Sequence, residues 1–191
     1  MKILWLACCL GVLVTAGCDS RAPAFNHVDI TGADYARDFA LTDHTGKQRT
    51  LADFRGNVVS VFFGFTQCPD VCPTTLQQMV EVRHLLGEQG KDVQVIFITI
   101  DPERDTVPVL AQYVAAFDPS FVGLTGSPDD IARTAKQFKV FYQKSPGPTP
   151  TSYTMDHTAG TYVFDREGKI RLFIRHNADP KTIAADLRRL L

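Results

Sequence analysis

Residues 58–65, VVSVFFGF, are apolar almost without interruption, the pattern of a strand buried on both faces. A second apolar, β-branched run covers residues 93–100. Between them Leu76, Met79, Val80, Val82 and Leu86 recur at helical spacing within residues 73–88, one stripe of an amphipathic helix. Strand, helix and strand in that order predict a parallel βαβ unit. Upstream, residues 38–42 and 48–51 flank Asp43-His44-Thr45-Gly46, a hairpin in which Gly46 supplies the positive φ of the turn. Downstream, Asp101-Pro102 ends the second strand, a helix runs from about residue 106 to residue 117, and residues 121–124 form a short strand. Ser127 before Pro128 has the layout of an N-cap and first helical position, and that helix continues to Phe138. Residues 145–155, SPGPTPTSYTM, contain three prolines and predict a long irregular loop. Residues 161–165 and 169–175 then pair as a hairpin around Arg166-Glu167-Gly168, and Asp179-Pro180 opens a final helix to Leu191.

The succession of hairpin, βαβ unit, helix, hairpin and helix resembles an α/β domain of the thioredoxin-like fold over residues 38–191. It carries an N-terminal β-hairpin extension and an inserted helix–strand segment. Residues 1–18 read as an export signal, with Lys2 ahead of an apolar run over residues 3–16 and then Gly17-Cys18. At about 1.5 Å per residue that run reaches roughly 21 Å, short of a hydrocarbon core of roughly 30 Å. Thr15-Ala16-Gly17-Cys18 resembles the lipobox of bacterial lipoproteins, which makes Cys18 the lipidation site; an uncleaved anchor is the alternative. Either outcome tethers the domain to the membrane at the periplasmic face of the bacterial inner membrane, with residues 19–37 as tether and lead-in. The net charge is −1, and no basic stripe points to nucleic acid.

Of five cysteines, Cys8 and Cys9 leave with the leader and Cys18 takes lipid, so Cys68 and Cys72 remain as thiols. Four positions apart, they occupy the turn from the first buried strand into its helix. Pro73 suits a helix's first position, which makes Cys72 the N-cap. There the dipole and the free N–H groups favour a thiolate, with a pKa below the ordinary value of roughly 8.5. Outside the cytoplasm a lone pair is also expected as a disulfide, although so short a loop adds little stability. In thioredoxin-like domains the loop before the closing hairpin packs on the cysteine turn. Asp156-His157-Thr158 occupies that place here, which aims His157 at the two sulfurs. Two thiolates and one imidazole suit Cu(I). Zinc, which favours four donors, would recruit Asp156 or water. The plainer alternative for His157 is a backbone-bonded residue flanking a hairpin. His27, His44, His84 and His176 lack any such context and are expected at the surface, Met155 in packing, and residues 101–105 in a loop held by local ion pairs.

Three ordered blocks add a resemblance: residues 62–76, FFGFTQCPDVCPTTL; residues 101–106, DPERDT; and residues 156–165, DHTAGTYVFD. Together they are similar to the Sco/SenC family of copper-binding, membrane-tethered thioredoxin-like proteins, over residues 39–190. The resemblance implies that Cys68, Cys72 and His157 bind copper as Cu(I), with Cu(II) left open. It implies a metallochaperone for the copper A centre of cytochrome c oxidase subunit II, served by a copper donor and a thiol reductant. The alternative is a thiol–disulfide oxidoreductase in which Cys68 and Cys72 are the redox pair and reduce that subunit or another exported partner. Against it, the spacing is CxxxC where thioredoxins carry CxxC. A peroxidase reading fails on spacing, since peroxiredoxins resemble PxxxTxxC and Val61 and Phe65 stand where Pro and Thr would fall.

Overall fold

The two apolar runs become the central strands of an eight-stranded sheet, in a computed structural model that describes residues 25–147, 149 and 152–191. The export signal, Cys18 and the first part of the tether lie outside the described residues. In chain order the elements are β1 (Val28–Asp29), β2 (Ala40–Asp43), β3 (Gln48–Thr50), β4 (Val58–Gly64), α1 (Val71–Leu86), β5 (Val93–Thr99), α2 (Val107–Ala115) and β6 (Val122–Thr125). Then follow α3 (Pro128–Gln137), β7 (Tyr142–Pro146), β8 (Tyr153–His157), β9 (Gly160–Phe164), β10 (Ile170–Arg175) and α4 (Pro180–Arg188). The sheet order is β1-β10-β9-β4-β5-β6-β2-β3, with β4, β5 and β6 mutually parallel and β9 antiparallel to β4. The βαβ unit and closing hairpin thus form the expected thioredoxin-like frame, with β2–β3 as the added hairpin and α2–β6 as the insert.

Every residue of β4 is buried, because helices cover both of its faces. On one face Phe62 meets Phe97 with ring centroids 6.3 Å apart, and Phe97 meets Tyr113 of α2 at 5.3 Å. On the other, Phe63 meets Phe138, just past α3, at 5.1 Å. Helix α1 packs against α4. Among the described residues no helix is long and apolar enough to cross a membrane.

Three expectations are corrected. Helix α1 begins at Val71 with Asp70 as N-cap, so Cys72 lies inside the first turn. Pro73 fits there because first-turn N–H groups have no intrahelical acceptor to lose. The proline-rich stretch is not one irregular loop. Strands β7 and β8 pair antiparallel as a separate two-stranded sheet, from Tyr142↔His157 to Pro146↔Tyr153, and only its connection is irregular. Finally, two histidines expected at the surface are tied into the fold. His27 Nδ1 lies 2.8 Å from a carboxylate oxygen of the buried Asp186, and His44 Nδ1 accepts the Gly123 N–H at 3.1 Å. His84 is exposed and His176 half-buried.

Candidate metal centre

Strand β4 delivers the chain to the cysteine turn, and a carboxylate on the next connection shapes it. Asp105, buried, accepts the Thr66 N–H at 3.0 Å and the Thr66 and Thr99 hydroxyls at 2.6 Å each. Burial pushes its carboxyl up from the ordinary range despite these bonds. The Cys68 N–H donates to the Phe65 carbonyl at 3.2 Å, tightening the loop. Cys72 is fully buried beneath it. A Cβ on Gly64 would lie 2.6 Å from the Cys72 sulfur and 2.8 Å from the Phe97 ring. Glycine at the end of β4 is therefore what makes room for that sulfur.

The two thiols are free and unequal. Cys68 is half-buried, and its sulfur accepts the Cys72 N–H at 3.5 Å. The Cys72 thiol proton directed at it, with the Asp70 and Cys72 amides and the nearby His157, lowers the Cys68 pKa to about 5. Cys72 is pushed well above the thiol range, first because it donates that proton and second because it is buried. The depressed pKa expected of Cys72 is found at Cys68 instead, first because the Cys72 thiol donates to the outer sulfur and then because the Asp70 and Cys72 amides point to it. Cys68 is the thiolate at neutral pH and Cys72 the reserve of a proton.

His157 ends β8, and its Nε2 lies 4.0 Å from the Cys72 sulfur. Its Nδ1 is 3.0 Å from the Thr158 carbonyl oxygen. A carbonyl only accepts, so Nδ1 carries a proton, and in the neutral ring that leaves the Nε2 lone pair facing the sulfur. Phe62 and Phe65 hold the ring at centroid distances of 6.1 Å each. Metal–sulfur and metal–nitrogen bonds of about 2.3 and about 2.0 Å, opened to about 120°, would separate sulfur and nitrogen by roughly 3.7 Å. The observed edge is close to that. Among the described residues no group of three or more His, Cys, Asp or Glu side chains is gathered tightly enough to hold an ion as it stands. Asp156, weighed as a fourth donor for zinc, instead accepts the Ser145 hydroxyl on the hairpin, and adjacent strand residues point to opposite faces. Met155 is buried in the core, as expected of packing.

Gly64 and Asp105 were not singled out by sequence reasoning. The signal for the first was a lone glycine ending an otherwise bulky strand; for the second, an acidic residue inside the DPERDT block.

Comparison with known proteins places the fold that carries this site among relatives. A family model described as SCO1/SenC matches residues 28–191. The Bos taurus "Protein SCO2 homolog, mitochondrial" is 42% identical over 154 residues, covering 80% of this chain and 58% of that one. The chain thus spans less than two thirds of that relative's length. The structure of Bradyrhizobium japonicum ScoI with copper bound is 42% identical, with a TM-score of 0.74 over 81% of this chain and 98% of that one. Apo Sco1 from Thermus thermophilus is 41% identical, with a TM-score of 0.72 over 87% and 99%. A match over nearly the whole of the described fold, at these identities, shows that the chain belongs to the SCO1/SenC family.

Proposed function

We propose that this protein is a copper metallochaperone that takes Cu(I) through Cys68, Cys72 and His157 and passes it to the copper A centre of cytochrome c oxidase subunit II. The observation that carries the reading is the 4.0 Å approach of His157 Nε2, lone pair inward, to the Cys72 sulfur across 85 positions of sequence. The copper-bound ScoI of B. japonicum supports it. Two soft sulfurs and one imidazole favour Cu(I) over harder ions. Cys68, already a thiolate, receives the ion first. Cys72 then gives up its proton as it ligates, which makes uptake release protons. His157, the neutral donor on a peripheral hairpin, is the ligand an acceptor's donors displace most readily. Lipid on Cys18 would hold the domain at the periplasmic face of the membrane, near an oxidase subunit. A copper donor and a thiol reductant complete the cycle, the latter because only the dithiol can bind.

Competitive Cu(I) titration tests the reading. One ion per wild-type domain is expected, with affinity reduced at least about tenfold in Cys68→Ser and His157→Ala. Wild-type affinity in both variants would refute it.

The unequal thiols favour a second reading, thiol–disulfide exchange. The Cys68 thiolate attacks a partner disulfide and releases one partner thiol. Cys72, on losing its proton, then attacks the mixed disulfide, leaving the Cys68–Cys72 disulfide and a reduced partner. His157→Ala separates the two roles, since exchange should survive it and copper binding should not.

A further inference from the structure

Strands β7 and β8 stand outside the main sheet, so the hairpin that presents His157 must be held against the cysteine turn by something other than strand pairing. One side chain touches both. Arg104 Nη1 donates to the Gln67 side-chain oxygen at 2.9 Å, next to Cys68, and to the Tyr153 carbonyl at 3.0 Å, in the hairpin. Its guanidinium lies 3.7 Å over the Tyr153 ring and 5.8 Å from the Phe65 ring, whose edge in turn meets His157. Nε pairs with the buried Asp101, which also accepts the Tyr153 hydroxyl at 2.9 Å. Asp101 is itself anchored to the end of β5, its N–H donating to the Thr99 hydroxyl at 2.9 Å. Tyr153, Met155 and His157 alternate on one face of β8, so clamping Tyr153 sets the face that carries the imidazole. Only a planar, forked cation can stack on a ring and bond two acceptors at once.

We propose that Arg104 is the positioning residue that locks the His157 hairpin onto the cysteine turn and so sets the nitrogen-to-sulfur separation of the metal site. The proposal deepens the copper reading and rests on it for its consequence, but the lock itself belongs to the metal-free protein. In apo Arg104→Gln, amides of residues 142–145 and Tyr153–His157 should exchange with deuterium roughly tenfold faster or more, the loss of a charged hydrogen bond. Those of β4 and β5 should keep wild-type rates. Arg104→Lys should not rescue the hairpin, and Tyr153→Phe, which retains the ring, should loosen it less. X-ray absorption of the Cu(I)-loaded proteins should find two sulfurs and one nitrogen in the wild type, and two sulfurs alone in Arg104→Gln. Hairpin exchange at wild-type rates in Arg104→Gln, or a retained nitrogen neighbour, would overturn the proposal. Should the Arg104 variants fail to fold, Tyr153→Ala carries the same two readouts from the hairpin side, with the same overturning results. If wild-type protein takes up no Cu(I), the copper reading falls while the apo exchange still decides the lock.

Discussion

The cysteine turn and the histidine hairpin meet at one sulfur, yet they are built in opposite ways. The turn grows from the innermost strand of the sheet, and its inner sulfur is fully buried in the space that Gly64 leaves. Its shape is set by Asp105 through the Thr66 amide and hydroxyl. The hairpin is a two-stranded appendage joined through side chains: Arg104, Tyr153 and the exposed Lys144–Glu103 pair. A carrier of metal gains from that difference. The half that must hold is fixed, and the half that must let go is attached by interactions small enough to exchange.

If the turn is self-contained, its thiol chemistry should ignore the hairpin, and this is the largest contrast available. The Cys68 pKa, about 5, has the Cys72 thiol as its main cause and His157 as the least of those named. Alkylation of reduced apo protein at pH 6 should therefore label Cys68 roughly a hundredfold or more faster than buried Cys72. Cys72→Ala should move the Cys68 pH profile up toward the ordinary range near 8.5, whereas His157→Ala should barely displace it. The sign for stability follows. Between about 5 and about 8.5 the unfolded chain binds the extra proton at Cys68, so the dithiol form gains stability as pH rises through that window and loses it as pH falls through about 5. Cys72, held above its unfolded value, works the other way and weakens the fold as pH climbs beyond the thiol range. A Cys68 profile that follows His157→Ala more than Cys72→Ala would place the hairpin inside the turn's chemistry.

Gly64→Ala acts on the rigid half alone. A methyl would meet both the Cys72 sulfur and the Phe97 ring at under 3 Å, and overpacking of this kind costs about 1–3 kcal/mol. For a domain of this size that lowers Tm by roughly 3–10 °C. Melting should show it in the apo dithiol protein, with Cys72 more open to alkylation and the hairpin amides unaffected. An unchanged Tm would mean that the turn yields as easily as the hairpin.

The same contrast explains what could be read before the structure. The runs at residues 58–65 and 93–100 announced β4 and β5 because a doubly covered strand needs apolar residues at every position, and the cysteines followed from where β4 ends. His157 is legible through topology and the block at residues 156–165, since nothing in the chemistry of Asp156-His157-Thr158 by itself points to sulfur. The hairpin under it was hidden because prolines usually forbid pairing. Here Pro146 closes β7 at its end, and a two-stranded sheet has two free edges to tolerate it. Helix α1 starts two residues ahead of Pro73 because proline suits any position of a first turn, not only its first. The ties of His27 and His44 are invisible to spacing because their partners lie 159 and 79 positions away. Spacing shows Arg104 as a local ion-pair residue, and only its pairing with Asp101 is local. Its contacts to Gln67 and Tyr153, 37 and 49 positions distant, are invisible to spacing.

The smallest expected effect lies at the root of the hairpin. The Thr158 hydroxyl accepts the Phe141 N–H at 3.1 Å, while the backbone bond from the Thr158 N–H to the Phe141 carbonyl, 2.9 Å, does not depend on the side chain. In Thr158→Val the shape is kept and one acceptor is lost. Phe141 is 60% exposed, so water can take the freed N–H and the net loss should fall near about 0.5 kcal/mol, the low end for a hydrogen bond. That is a Tm change of roughly 1–2 °C, with exchange faster by a few-fold at Tyr142 and His157 and nowhere in β4 or β5. A loss larger than that of Gly64→Ala would invert the comparison, because the hairpin would then be the costlier of the two halves to disturb. A small, local loosening would instead show a histidine whose attachment can be weakened in steps without touching the sulfurs it serves.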